Sequence, residues 1–191
     1  MNDAVLVTTT YLEQNAPADL RPSPAPPEPG RIEMLTEPDP AFNSKMYATV
    51  GGPWQWTVRE AWTLQDWGRW LRQPGRETWV LWLEGQAAGY AELDAEDAGH
   101  HTDVEIAYFG LAPGHTGRGW GAHLLTAVTE HAWNIGARWP DLSPVTRVWV
   151  HTCTLDGPHA LANYRARGFV AYRTTEEERA DGEGSGNAGG G

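Results

Sequence analysis

Apolar residues along the chain cluster in six short segments bounded by turn-forming residues, a pattern that predicts six β-strands. Other segments repeat apolar residues at helical spacing, most clearly over residues 119–135, where Leu124, Leu125, Val128, Ala132 and Ile135 form one stripe. The predicted strands cover residues 5–12, 78–83, 87–93, 103–111, 145–152 and 169–174. The predicted helices cover residues 39–48, 64–73, 119–135 and 158–167, with Thr63 as the N-cap of the second.

The order of these elements, β-α-α-β-β-β-α-β-α-β, predicts an α/β fold whose sheet has mixed strand direction. We expect one domain over residues 1–179. Within it, residues 15–40 are interpreted as a proline-rich connector, because prolines over residues 22–29 are incompatible with a helix or a central strand. Residues 180–191 are rich in glycine and are expected to be a disordered tail.

Composition and charge exclude several classes of protein. The 191 residues carry a formal net charge of −11 and no strongly basic cluster, which argues against nucleic acid and anionic membranes as partners. The acidic balance favours the approach of a cationic substrate. The single cysteine, Cys153, excludes a disulfide framework and a cysteine-based zinc site, and no metal is expected. Without a signal peptide or a long apolar run, the expected location is the cytoplasm.

A glycine-rich loop carries the most specific chemical signal. Residues 116–122 read T-G-R-G-W-G-A, and they follow a predicted strand and open a predicted helix. Glycines let backbone N–H groups turn towards an anion, and the helix N-terminus adds unpaired donors. The spacing matches neither the dinucleotide-binding fingerprint nor the P-loop. Taken alone, the loop is compatible with a phosphate site or with a turn that only needs flexible residues.

Two motifs in a fixed order extend this signal. Residues 105–125 read EIAYFGLAPGHTGRGWGAHLL, and residues 160–169, ALANYRARGF, match the pattern A-x-x-x-Y-x-x-x-G-F. Over residues 76–172 the chain resembles the Gcn5-related N-acetyltransferase (GNAT) superfamily. The resemblance implies a mixed, mostly antiparallel sheet of about six to seven strands with helices on both faces. It also implies acetyl-CoA as the co-substrate.

The resemblance further implies how acetyl-CoA would bind. The glycine loop would hold the pyrophosphate, and the preceding strand would splay from its neighbour and offer backbone groups to the pantetheine arm. Thr116 and Gly157 depart from the usual family pattern, so a non-catalytic acyl-CoA-binding module stays an alternative. The implied cofactor-binding residues are Phe109, Gly110, Leu111, Gly117, Arg118, Gly119, Trp120, Gly121 and Ala122.

Acetyl transfer to an amine needs a group that takes the ammonium proton and a group that protonates the leaving thiolate. Glu105 is the leading candidate base, with a salt-bridged glutamate as the alternative interpretation; Glu92 and Asp94 on the neighbouring strand are further candidates. By resemblance, the phenol of Tyr164 is the proton donor. Cys153 is interpreted as a buried bystander, because nothing in the sequence lowers its thiol pKa.

The tryptophan-rich region before the third predicted strand bears on the acceptor. We interpret most of these tryptophans as packing residues and some as an aromatic acceptor pocket, with residues 51–53 as a mobile rim and Arg59 as a surface residue. The leading hypothesis is an N-acetyltransferase acting on a small-molecule amine. The alternatives are a protein or peptide N-acetyltransferase and the acyl-CoA-binding module. A homodimer is left open. The tryptophans are Trp54, Trp56, Trp62, Trp67, Trp70, Trp79 and Trp82.

Overall fold

The computed structural model describes residues 4–180. The tail predicted from residue 180 onwards lies outside this range, except for Ala180, which ends the last strand. The strands are β1 (Ala4–Gln14), β2 (Arg31–Met34), β3 (Arg76–Leu83), β4 (Gln86–Asp97), β5 (Thr102–Leu111), β6 (Val145–Cys153) and β7 (Val170–Ala180). The helices are α1 (Pro40–Gly51), α2 (Leu64–Leu71), α3 (Trp120–Trp133) and α4 (Ala160–Ala166).

All seven strands form one sheet in the order β2-β3-β4-β5-β6-β1-β7. Every neighbouring pair is antiparallel except β5 and β6, which run parallel. The expected α/β fold with a mixed, mostly antiparallel sheet is therefore confirmed. The N-terminal strand β1 lies between β6 and β7. The first and last strands of the described chain are therefore paired with each other at one end of the sheet.

The proline-rich segment contains a strand that the sequence did not predict. Within residues 15–40, β2 pairs with residues 79–82 of β3 at the edge of the sheet, which corrects the interpretation of the whole segment as a connector. Residues 20–30 do lack helix and strand, as the prolines predict. Four residues are too few to show periodicity, so β2 is defined by its pairing with β3 rather than by its own pattern.

Helices cover both faces of the sheet and bury two separate cores. On one face, Leu124 and Val128 of α3 pack with Leu93 and Ile106, which are cross-strand neighbours on β4 and β5. On the other face, α1 and α2 pack against tyrosines of the same two strands, including Tyr108. No helix among residues 4–180 is long and apolar enough to cross a membrane.

The helix ends on the α1–α2 face are partly as predicted. Thr63 caps α2, since its hydroxyl accepts the Asp66 N–H at 3.2 Å and Asp66 accepts the Thr63 N–H at 2.8 Å. The expected loop over residues 51–53 is wrong, because Gly51 ends α1 and residues 52–54 form a 3₁₀ turn. An added Cβ at Gly51 would lie 2.3 Å from the Trp56 ring, so glycine there permits a close approach.

Arg59 is buried rather than exposed, which corrects the sequence interpretation. Its side chain is 5% exposed, and its Nη1 lies 2.6 Å from Oε2 of Glu92. The guanidinium also lies within 5.0 Å of the ring centres of Trp62, Trp67 and Trp70. A buried ion pair of this kind needs a partner for each charge, because a lone buried charge is strongly destabilising. These three tryptophans thus surround the buried guanidinium of Arg59, whose charge is balanced by Glu92.

Candidate active site

The two parallel strands at the centre of the sheet separate part-way along their length. Pairing between β5 and β6 covers residues 102–105 of β5 and stops at Glu105 opposite Trp149, although both strands continue. Just beyond this point Ala107 is an extra residue in the β4–β5 register, which makes a β-bulge and bends β5. Residues 108–111 therefore lie beside a cleft, and not beside a neighbouring strand, on the edge that faces β6.

A cavity of about 610 Å³ fills this cleft. Residues 106–111 of β5 form one wall and His151 and Cys153 of β6 form another. The glycine loop and α4 close one side, while Val50 and two tryptophans of the α1–α2 region close another. Phe109, Gly110 and Leu111, predicted from the sequence to contact the cofactor, thus line one space together with the glycine loop.

The glycine loop has the backbone conformation expected of an anion cradle. Gly117 and Gly119 adopt φ angles of 77° and 83°, which other residues rarely adopt, and an added Cβ at Gly117 would meet nothing within 4 Å. Gly117, Gly119, Gly121 and Ala122 line the cavity. Trp120 does not line it, because its side chain is 2% exposed and packs in the core.

Arg118 points towards the proline-rich segment rather than into the cavity. Its Nε donates to Oε1 of Glu28 at 3.1 Å, and its Nη2 contacts the other carboxylate oxygen. Pro26 lies 3.6 Å from an added Cβ at Gly119, so the segment runs beside the glycine loop. A phosphate group and the Glu28 carboxylate would therefore compete for the same guanidinium.

Replacing Glu28 by glutamine is expected to tighten acetyl-CoA binding by about fivefold. The change releases Arg118 and removes a negative charge beside the glycine loop, and a partly exposed ion pair is worth at most about 1 kcal/mol. Calorimetric titration measures the dissociation constant. Glu33→Gln is the matched control, since Glu33 pairs with Arg31 on β2, outside the cavity lining. Weaker binding of acetyl-CoA by Glu28→Gln would show instead that Glu28 positions Arg118 for the phosphates.

Tyr164 enters the cavity from α4. Its side chain is 5% exposed and packs against the rings of Phe109 and Phe169 at centroid distances of 6.1 Å. Burial, followed by the negative charge of Asp156, raises the pKa of the Tyr164 phenol well above its ordinary value. The hydroxyl is therefore protonated at neutral pH, the state that a proton donor requires.

Two tryptophans of the cavity lining connect the segment after α1 with the segment between β6 and α4. Trp56 Nε1 donates to Oδ1 of Asp156 at 3.3 Å, and Trp54 lies so close to Gly157 that an added Cβ there would be 3.2 Å from its ring. Gly157 thus departs from the usual family residue at a position where a side chain would press on Trp54. Trp54 and Trp56 are the two of the seven clustered tryptophans that line the cavity.

The carboxylates proposed as bases lie behind the cavity wall. Glu92 is 2% exposed and accepts hydrogen bonds from Arg59 and from Asn43, so it is fully engaged in an ion pair. Asp94 pairs with Arg76. Glu105 does not line the main cavity but borders a separate space of about 50 Å³ on the α2 side. Its role as the base stays a prediction.

His151 and Asp156 were not selected as site residues from the sequence, although both line the cavity. The strand period offered one signal, because His151 and Cys153 are two residues apart and so face the same side of β6. Asp156 follows the strand, and its Oδ2 accepts from Thr152 Oγ1 at 2.7 Å and from the Cys153 N–H at 2.9 Å. Burial, and then Asp156, raise the pKa of the Cys153 thiol, which keeps it protonated.

Comparison with known families agrees with this geometry. The model of the acetyltransferase (GNAT) family matches residues 41–169, more than half of the chain. The chain belongs to the GNAT family. This confirms the resemblance carried by the glycine loop and the Tyr164 motif. Acyltransferase chemistry is the activity that this family implies. No curated protein matches the chain.

Solved structures show the same fold at low sequence identity. A GCN5-related N-acetyltransferase from Kribbella flavida is 18% identical, with a TM-score of 0.57 over 90% of this chain and 57% of that one. One from Sphaerobacter thermophilus is 17% identical, with a TM-score of 0.53 over 91% and 52%. An aminoglycoside acetyltransferase from an uncultured soil metagenomic sample, in complex with trehalose, is 18% identical, with a TM-score of 0.58 over 72% and 86%. The chain thus spans little more than half the length of the first two.

Proposed function

We propose that the protein moves the acetyl group of acetyl-CoA to the primary amine of a small molecule by direct attack of the amine. The observation that carries this proposal is that a single cavity adjoins the glycine loop, the unpaired edge of β5 and the phenol of Tyr164. A phosphate cradle, an extended backbone edge and a proton donor are the parts that a thioester donor needs.

The described residues fit acetyl-CoA. The open space above Gly117 and the unpaired N-terminus of α3 suit a pyrophosphate. Residues 108–111 are not paired with β6, so their backbone groups are available to the amides of a pantetheine arm. Asn163 on α4 donates from Nδ2 to the Gly121 carbonyl at 3.3 Å and thereby holds α4 against the loop. Bound acetyl-CoA would supply the activated acyl group.

Tyr164 would act as the general acid. Its hydroxyl lines the same cavity as Leu111, whose backbone the family resemblance places near the thioester. The raised pKa of the phenol means that its proton is present when the leaving thiolate develops beside it. The phenol can then recover a proton from the newly formed amide nitrogen through solvent.

The cavity favours a small monoamine with an apolar or aromatic body. The contacts of Trp54 and Trp56 with Gly157 and Asp156 close one side of the cavity, whereas a protein acceptor needs an open groove. Asp156 is the one carboxylate among the described lining residues, and it already accepts three hydrogen bonds. An aminoglycoside carries several ammonium groups. The described lining has few free anionic groups with which those ammonium groups could pair. The two tryptophans offer aromatic faces to an amine or to its apolar body.

A thiol-release assay with acetyl-CoA tests the proposal. The acceptor panel contains arylalkylamines, aliphatic monoamines, a polyamine, an aminoglycoside and a lysine-containing peptide. We expect the highest kcat/KM for a monoamine with an apolar body, and mass spectrometry should find one added acetyl group. A higher kcat/KM for the peptide would make the protein a peptide acetyltransferase. Tight acetyl-CoA binding without transfer to any acceptor would indicate a non-catalytic acyl-CoA-binding module.

A further inference from the structure

A histidine and a glutamate meet in the wall of the cavity where β5 and β6 begin to separate. His151 Nδ1 lies 3.2 Å from Glu105 Oε1, at the long end of hydrogen-bonding distance. Both atoms are buried, and neither makes a hydrogen bond in the described range 4–180, so the two groups are close but are not aligned as donor and acceptor. Burying two polar atoms without hydrogen bonds lowers the stability of the fold, so such a pair calls for a functional explanation.

The two side chains lie on different sides of the wall. His151 lines the main cavity, whereas Glu105 borders the small space that it shares with Asp94, Arg59 and Tyr108. The side chains are 12% and 9% exposed. Glu105 therefore lies close to the cavity without lining it, whereas His151 lines it. A proton that leaves a substrate in the cavity would reach His151 before it reached Glu105.

We propose that His151 is the catalytic group that accepts the proton of the acceptor ammonium and that Glu105 is its positioning residue. This proposal rests on the function proposed above and names its base. A proton on Nδ1, the nitrogen beside the Glu105 carboxylate, leaves the lone pair of the neutral ring on Nε2. A carboxylate behind an imidazole fixes its tautomer and orientation and stabilises the imidazolium.

The proton balance is complete with the groups named. His151 Nε2 takes one proton from the ammonium, and the free amine attacks the thioester carbonyl, so that a C–N bond forms. The C–S bond then breaks, and the thiolate takes the phenolic proton of Tyr164. Tyr164 is reprotonated from the amide nitrogen through solvent. His151 releases its proton to bulk water, which gives the single net proton of the reaction.

The charged and titratable groups around His151 come from four strands. Glu105 faces it from β5, and Tyr11 faces it from β1 with a ring-centroid distance of 5.4 Å. The guanidinium carbon of Arg173 on β7 lies over the Tyr11 ring, 3.8 Å from its centroid. On β6 itself, Trp149 stacks on the ring and Cys153 is two residues away. Glu105 is the group among these that lies within hydrogen-bonding distance of a ring nitrogen.

Steady-state kinetics on a confirmed acceptor test the role of His151. His151→Gln is expected to lower kcat by about 10²-fold at neutral pH, the lower end of a general-base contribution. The deficit should shrink as pH rises, because the amine then loses its proton without help. Imidazole should restore part of the activity of His151→Ala. His100→Gln is the control, since His100 lies in the exposed β4–β5 turn. A folded His151→Gln protein with the wild-type rate and pH profile would overturn the proposal.

Nuclear magnetic resonance tests the pair without any turnover. In the wild-type protein, long-range ¹H–¹⁵N spectra are expected to show neutral His151 protonated on Nδ1. Glu105→Gln should lower kcat and change the tautomer signal of His151, whereas His100→Gln should change neither. An unchanged His151 spectrum in Glu105→Gln would overturn the pairing. If the protein acetylates no amine, the thiol-release assay fails while this spectrum still reports the pair, so the two failures are distinguishable.

Discussion

Replacing Tyr164 by phenylalanine is expected to lower turnover by about 10²–10⁴-fold, the usual contribution of one positioned general acid. The substitution removes a single oxygen and keeps the ring that packs between Phe109 and Phe169. Binding of acetyl-CoA should change little, because the phenol is needed only when the thiolate develops. Turnover from the thiol-release assay and affinity from calorimetry separate the two effects.

Tyr90→Phe is the matched control for this prediction. Tyr90 is fully buried outside the cavity lining, and its hydroxyl has no hydrogen-bond partner among residues 4–180. Removing that hydroxyl should leave turnover intact and should stabilise the fold by roughly 1 kcal/mol, because an unpaired buried polar group is costly. If Tyr164→Phe keeps wild-type turnover, another group protonates the thiolate and the catalytic assignment fails.

Replacing Gly121 by glutamate is expected to weaken acetyl-CoA binding by about 10³-fold. Gly121 lines the cavity at the first turn of α3, and an added Cβ would be 3.6 Å from Leu111, an ordinary contact. The backbone therefore tolerates the side chain, and the effect is electrostatic. A unit charge about 4 Å from a phosphate charge near a protein surface costs on the order of 4 kcal/mol.

Gly136→Glu is the matched control, because it makes the same change in charge at a position where nothing lies within 4 Å of an added Cβ. Gly136 is in the 3₁₀ turn after α3 and does not line the cavity. Calorimetry should find wild-type affinity in this control. Equal acetyl-CoA affinities for folded Gly121→Glu and Gly136→Glu would show that the phosphates do not lie at the glycine loop.

The sequence predicted the elements whose signals are local. The helical stripe of α3, the Thr63 cap and the strands over residues 78–111 follow from spacings within one element, and the structure confirms them. It missed β2, which is too short to show a period, and it misread the burial of Arg59. Arg59 is an arginine in an irregular segment, and no local feature marks Glu92 as its buried partner.

The sequence by itself determined that this chain has a glycine loop opening a helix, a Tyr164 motif downstream and an α/β order of elements. Only the tertiary structure decided that β1 lies between β6 and β7 and that β5 leaves β6 after Glu105. It also brought His151 to Glu105 and Trp56 to Asp156. Each of these contacts joins residues far apart in the chain. Their formation depends on strand register and on the bulge at Ala107. Both set the position of one strand relative to its neighbour, and neither produces a periodic pattern within a single strand.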